Sequence, residues 1–326
     1  MSKIKKDTLK LAYDLSNMAA YAKTNGEVLI QDLVMQAQSF KPNLGYRIET
    51  GIKSTDKFAD VSLGYTVLQS TNGDVSSVSA SGTTGLKDIS VTVTEIAIKE
   101  KYVKSTLDSK IGQVLEAPGS DYSNELPYGD ILVSLKGKEV GRLNDILLWQ
   151  GDSSTGNTNA NTNKFNGFLT QILAGSYVDG GTKTGLTAAN AIATVEAVKD
   201  KAFTAFPAWI TNGCDMYMSP LNYSVYYRAV FGLGSVINDL TKNEAGLVES
   251  FMMPGTNVKV ISCNGLQGQT NIVVTRDSNL VIGTDLVSED DQFEFRYLEE
   301  LEYWRLKAVY KLGATVARVA ECVATH

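Results

Sequence analysis

Few residues in this 326-residue chain have the types and spacing that chemistry needs, and none completes a set. Carboxylates gather twice, in Ser288-Glu289-Asp290-Asp291 and in Glu299, Glu300 and Glu302. The first group could ligate a hard cation through oxygen, but a solvated acidic turn ahead of a strand explains it without an ion. In the second, the two-residue period of a strand puts Glu300 and Glu302 on one face and Glu299 on the other. Arg or Lys partners across a sheet or a subunit boundary suit these residues better than acid–base catalysis. Gly232-Leu233-Gly234 looks like the start of a dinucleotide loop, yet no strand precedes it and no third glycine follows at the required spacing. Cys214, Cys263 and Cys322 are far apart, odd in number and lack any CxxC pair. They imply neither a disulfide framework nor a zinc site, and each reads as a small buried hydrophobe.

The only histidine is His326, which removes His-dependent triads and the common zinc enzymes. Phosphate-binding loops, GxSxG, HExxH and EF-hand loops are missing as well. The expectation is no catalytic, cofactor-binding or metal-ligating residue, no cofactor and no enzyme. Composition agrees with an ordinary globular protein, 43% apolar and 20% charged, long enough to bury a core without staples. A net charge of −6 argues against a nucleic-acid surface over the whole chain. Its start, MSKIKKDTLK, has no apolar run of the kind a secretory signal carries, and no stretch approaches a membrane span. A reduced, cytosolic birthplace and no membrane partner are expected.

The elements that would position side chains are easier to read. Leu11, Leu15, Met18 and Ala22, then Ile30, Leu33, Val34 and Ala37, recur at helical spacing, giving two short helices joined near Thr24–Gly26. They belong either to a core or to an arm on a neighbouring subunit. Residues 45 to 104 turn polar, and Asn72-Gly73 marks a turn. Ile89, Val91 and Val93 alternate with polar residues, and the apolar parity then switches to Ile96 and Ile98. Such a switch implies a bulge or a strand passing between environments. A long two-stranded excursion with a polar tip follows, unless the stretch is a mobile surface loop. An isolated hairpin is marginal in water, so the excursion makes sense only if it lies on something else.

A long helix is predicted to open at Pro127, a residue suited to the first turn, and to close by Gly151. Ile131, Leu132, Leu135, Leu143, Ile146 and Leu147 form its apolar stripe, and Lys136, Lys138, Glu139 and Arg142 lie outside. Gly137 and Gly141 interrupt it, which points to close approach by another backbone. Thirteen residues without a large apolar side chain, Asp152 to Lys164, then lead to Phe165. A second helix is expected over Ala188–Phe206 with Thr187 as N-cap, and a third opening at Ser219-Pro220. Gly232–Gly255 reads as loop. Short strands follow Val258, and a long alternating pair runs from Gln292 until Gly313 breaks it. Ala314 to Ala320, small or apolar throughout, reads as a strand buried on both faces.

The order of these segments resembles the Hong Kong 97-type major capsid protein of tailed bacteriophages. The motifs that carry it are LLWQGDSSTGNTNANTNKFNGF, MSPLNYSVYY and QFEFRYLEELEYWRLKAVYKLGATVARVAE. The resemblance implies an α+β fold with an N-terminal arm over 1–45 and an extended hairpin, the E-loop, with its base over 46–102. It further implies a peripheral domain from 103–165 and 286–312, with a spine helix over 126–150, and an axial domain from 166–285 and 313–326. The implied function is a shell of hexamers and pentamers, icosahedral or prolate, enclosing double-stranded DNA without sequence-specific contacts. Self-association is the main partner relation, with portal, scaffolding and decoration proteins beside it, in a virion assembled in a bacterial host's cytoplasm. Some members carry a scaffolding segment of about a hundred residues that has no counterpart here. Lys53, Lys57 and Lys87 lie in the E-loop, but no motif selects an Asn partner for the family's Lys–Asn crosslink. A nanocompartment shell of encapsulin type, a virion surface or receptor-binding protein, and a small-molecule enzyme of α+β architecture are the rival readings.

Overall fold

The computed structural model describes residues 36–41, 44–63, 84–103, 127–233, 238–242, 248–285, 293–298 and 303–326. The expectations for residues 1–35, the excursion's tip, the acidic run 288–291 and Glu299, Glu300 and Glu302 lie outside these.

Two sheets organise the described chain. The five-stranded sheet contains β1 (Tyr46–Thr50), β4 (Thr94–Val103), β11 (Leu280–Asp285), β12 (Phe293–Leu298) and β13 (Tyr303–Val316). β13 is its centre: β4 pairs along residues 303–312, while β12 and β11 share the opposite edge. The expected alternation holds on β13. Leu306, Ala308, Tyr310 and Leu312 are buried, and the residues between them are half-buried. The buried set packs on α1 (Pro127–Gln150), whose Val140, Leu147 and Leu148 belong to the same core. Leu143 and Ile146, expected in the stripe, are only half-buried. The inward face instead carries two polar residues, Asn144 and Asp145, that are almost fully buried.

Gly313 does not end β13. The strand runs on to Val316, pairing Gly313 with Gly283 of β11. A Cβ at Gly313 would collide with the Thr92 carbonyl and lie 3.0 Å from Val93 Cα. The glycine marks a crossing of backbones, not a strand terminus.

The second sheet has seven strands in the order β5 (Val178–Gly181), β14 (Cys322–Thr325), β10 (Ile272–Thr275), β6 (Cys214–Met218), β9 (Val258–Ser262), β8 (Val248–Met252) and β7 (Asn238–Lys242). Its central strands are buried on both faces, so they read as apolar runs instead of alternating. Tyr217, Ile261 and Val273 face the core shared with α1, while Met216, Met218, Val260 and Val274 face α3 (Ala191–Ala205) and α5 (Pro220–Gly232). Helix α3 starts three residues later than expected. A turn holds residues 187–190, where Asn190 Oδ1 accepts from Thr187 N–H at 2.7 Å. Helix α5 opens as expected: Ser219 Oγ accepts from Asn222 N–H and Pro220 fills the first position. Gly232–Gly255 is not all loop, because β7 and β8 form an antiparallel edge pair there. Register shifts at Asn238, Thr241 and Lys242 erase the two-residue period that would have shown it.

An aromatic node joins the two sheets. Trp149 at the end of α1 lies 5.2 Å from Tyr217 of β6 and 5.5 Å from Phe168 of α2 (Phe168–Ala174), measured between ring centroids. Tyr46 of β1 completes it and accepts a hydrogen bond from Trp149 Nε1 at 3.0 Å. Tyr217 donates to the Leu44 carbonyl at 2.7 Å. Buried aromatic polar tips are thereby satisfied while their rings fill the core. The polar spacer after α1 is ordered by its own side chains. Asp152 N–H donates to the Thr162 carbonyl, and Asn157 Nδ2 donates to the Asp152 carbonyl at 2.8 Å.

Candidate functional site

Among the described residues no catalytic constellation emerges, and the candidate site taken here is a set of surfaces and the anchors that aim them. The first is the ribbon of β2 (Thr55–Leu63) and β3 (Thr84–Thr92), which pair with each other and belong to neither large sheet. At its base Ile89 and Val91, with Val93 just beyond β3, are buried against Ile52, Val281 and Ala317. Arg47 lies over the Phe58 ring at 4.2 Å and closes the other side. Further out, Asp56, Lys57, Ala59 and Asp88 are exposed. The parity switch read from the sequence falls at Val93, where the chain leaves the ribbon and enters β4 against α1. Ile89, Val91 and Val93 serve one cluster and Ile96 the other.

The second surface is where residues 36–41 cross α1. Gly141 is buried there because a Cβ would lie 2.8 Å from the Ala37 nitrogen and the Gln36 carbonyl carbon. Gly137 meets the Gln36 side chain at the same distance. The close backbone approach that their spacing suggested is found at Gly141, whereas Gly137 faces a side chain. Ala37 itself is extended, with ψ 139°, and leads into a 3-10 turn over Gln38–Phe40 instead of closing a helix. Asp145 holds that turn. Its carboxylate accepts from Gln38 N–H and Ser39 N–H at 2.9 Å each and from Ser39 Oγ at 2.6 Å. Burial pushes the Asp145 carboxyl up despite these donors, which pull it down. Gln38 reaches on to the second sheet, donating to the Ser262 carbonyl at 2.7 Å and accepting from Asn264 N–H at 2.8 Å. One turn therefore ties the helix to the seven-stranded sheet. Sequence reading missed Asp145; the available signal was an Asn-Asp pair on the inward side of an otherwise apolar stripe.

A third surface lies at one end of the seven-stranded sheet. Ile210, Phe231 and Leu233 are exposed there, and Leu221 is exposed near the start of α5. An open cleft of about 310 Å³ lies between Phe203, Ile210, Met252, Pro254 and Asn257. None of its lining residues titrates, so it offers shape and apolar area without chemistry.

Electrostatics adds one unusual group. Asp215 is buried on β6, and burial, with the Asp277 charge second, raises its carboxyl from 3.8 to about 7, while Lys259 and the Tyr217 hydroxyl pull it down. It packs against Gly45, whose φ of +78° suits glycine and where a Cβ would overlap the Asp215 carboxylate. A carboxyl raised on folding favours the fold in its protonated form. Its contribution is fully present below the ordinary value and is lost as pH rises through about 7. Asp215→Asn should therefore gain on wild type by on the order of 1–3 kcal/mol between pH 5 and pH 8. Urea midpoints of both proteins at the two pH values check this; parallel curves would show that Asp215 does not titrate as described.

The cysteines are where expected. All three are buried and free, and burial pushes Cys214 and Cys263 to about 12 and Cys322 to about 11. Thiols so raised are poor nucleophiles. Gly232 and Leu233 sit at the C-terminal end of α5, the wrong end for phosphate. Among the described residues, no group of three or more His, Cys, Asp or Glu could hold a metal, and no helix is long and apolar enough to cross a membrane.

No protein-family model matches the sequence, and no curated protein matches it. Shape is more informative. The whole chain superposes on a chain of the satellite phage P4 procapsid including size determination (Sid) protein, at TM-score 0.53 and 10% identity, covering 100% of this chain and 98% of that one. The fold is the Hong Kong 97 type. The capsid of the native GTA particle (13% identity, 90% and 89% coverage, TM-score 0.49) and a virus-like particle from Pyrococcus furiosus (9%, 92% and 98%, 0.48) are similar at a lower level that carries no argument by itself. At such identities the likeness is one of fold.

Proposed function

We propose that this chain is the major capsid protein of a tailed bacteriophage, a structural subunit with no catalytic role. The observation that carries the reading is the full-length match to a procapsid chain, in a molecule whose β2–β3 ribbon belongs to neither large sheet. A shell needs one subunit to make repeated heterologous contacts that close on themselves. The ribbon and the arm leaving the turn at residues 36–41 supply surfaces for neighbours. Contacts of this kind bury more than the roughly 2,000 Å² at which obligate interfaces begin.

In this reading the five-stranded sheet with α1 is the peripheral domain and the seven-stranded sheet with α3 and α5 the axial domain. β11 and residues 313–316, grouped by sequence with the axial part, pair in the peripheral sheet. The apolar end bearing Ile210, Phe231 and Leu233 would meet its symmetry mates. Hexamers and pentamers form in the host cytoplasm with portal, scaffolding and decoration proteins and enclose double-stranded DNA. A subunit of net charge −6 suits a container whose contents must slide without sticking.

Sedimentation velocity of the purified protein, alone and with its co-expressed neighbours, tests this. The expected result is a boundary at capsomer or shell mass. A monomer that persists at high concentration under both conditions would contradict it.

A further inference from the structure

Helix α5 carries an aromatic ladder out of the core and into solvent. Tyr223, Tyr227 and Phe231 recur at four-residue spacing on one helix face. Neighbouring rings stack at 6.3 Å, with interplanar angles of 17° and 13°. Exposure rises along the ladder: Tyr223 is 5% exposed, Tyr227 half-buried and Phe231 66% exposed, with Leu233 just beyond at 69%. Its inner end is fixed by Phe251 of β8, whose ring lies within 5.9 Å of those of Tyr223, Tyr226 and Tyr227. The next helical turn therefore presents Phe231 in a set orientation, a knob with little side-chain freedom left to lose on binding.

A hole lies close by. Met252 follows Phe251 directly and lines the 310 Å³ cleft together with Phe203, Ile210 and residues 253–257. The walls are tied in place. Asn257 Nδ2 donates to the Ile210 and Thr211 carbonyls at 3.2 Å each, and Met253 N–H donates to the Val258 carbonyl at 2.8 Å. A cavity of about 150 Å³ suffices for a benzene ring, so the cleft accommodates a phenyl side chain. The chain's own knob does not fill it: Phe231 and Leu233 are not among the lining residues and stay exposed. Apolar side chains scattered singly over a surface need no explanation. Among the described residues, however, three of the four most exposed large ones, Leu233, Phe231 and Ile210, gather at this end.

We infer that Phe231 of one copy seats in the cleft between Ile210 and Met252 of a second copy. The inference rests on the shell reading and deepens it by naming the contact made at the apolar end. Knob and hole are different patches of one chain, so the contact is heterologous, and repeating it closes a ring when the rotation allows. Every copy supplies one of each, both rigid, which selects a second copy as the occupant over a different protein. Subunits of net charge −6 repel one another, and an uncharged knob in an uncharged hole is the contact that suits them. One ring in one cleft buries far less than the roughly 1,200 Å² at which stable interfaces begin. The contact therefore orients copies that the ribbon and the arm also hold.

Paired single substitutions test it. Leu233→Cys and Ile210→Cys proteins are purified separately, mixed under assembly conditions and treated with a short bismaleimide. Cys214, Cys263 and Cys322 are buried and stay unreactive. The expected product is a covalent dimer that forms in the mixture and in neither variant alone, with its linking peptides joined at positions 233 and 210. In parallel, Phe231→Ser should melt like wild type and form capsomers at least about tenfold less well, the worth of one buried aromatic ring in an association constant. If Phe231→Ser does not fold, Ile210→Glu, which alters the hole at an exposed position, replaces it with the same expectation. No crosslink specific to the mixture, or a folded variant that assembles like wild type, would overturn the inference while leaving the shell reading intact. Capsomers formed in normal yield that have lost a co-expressed neighbour would give the knob to that protein instead. A wild-type protein that never assembles removes the shell reading itself, and this contact with it.

Discussion

Replacing residues 60–87 by an Asn-Gly turn is expected to leave a folded protein that no longer assembles. Ala59 and Asp88 are opposed in the antiparallel ribbon, so a two-residue turn can join them without altering the register below. The contacts that fasten the ribbon's base among the described residues remain: Phe58 under Arg47, and Ile89, Val91 and Val93 against Ile52, Val281 and Ala317. The melting temperature should therefore stay within about 3 °C of wild type, since less than about 1 kcal/mol is at stake in a chain of this size. Assembly, by contrast, should fall by orders of magnitude, because the deleted segment is the part with most to gain from a neighbour. Circular dichroism and sedimentation of the same sample separate the two effects. Global unfolding would show that the segment belongs to the core instead.

Asp145→Ala should damage the monomer itself. Removing the carboxylate leaves Gln38 N–H, Ser39 N–H and Ser39 Oγ without their acceptor at a nearly inaccessible site. An orphaned buried donor costs about 1–3 kcal/mol. Part of that is returned, because the buried charge of Asp145 is itself unfavourable, as its raised carboxyl shows. The net loss should be about 2–4 kcal/mol, which lowers the melting temperature by roughly 5–15 °C. Limited proteolysis should detect cleavage within residues 36–41 before global unfolding. Asp145→Asn keeps one acceptor but turns an amide donor toward donors, so it should recover less than half of the loss. If both variants melt like wild type, the turn is held by Gly141 and Gln38 alone.

Where one physical signal acted, the sequence was legible. The helix opening at Pro127, the cap at Ser219-Pro220 and the alternation of Leu306, Ala308, Tyr310 and Leu312 each follow from local chemistry. The parity switch near Val93 was readable because two environments demand opposite faces of the consecutive strands β3 and β4. Gly141 announced a crossing without revealing what crossed.

Other features depended on distant partners. Gly313 looked like a strand end because the Thr92–Val93 backbone that requires it lies more than two hundred residues away in sequence. β7 and β8 were hidden by register shifts in an edge pair. Asp145 went unread because its partners, Gln38 and Ser39, lie more than a hundred residues away in sequence. Of the candidate surfaces, the ribbon could be foreseen from the alternation of Ile89, Val91 and Val93.

Electron microscopy of the purified, assembled protein tests the central claim most directly. The account predicts closed shells, or free capsomers with six-fold and five-fold symmetry, in which the ribbon of each subunit lies on a neighbour. Isolated monomers at every concentration, or an assembly in which the ribbons touch no other copy, would contradict it.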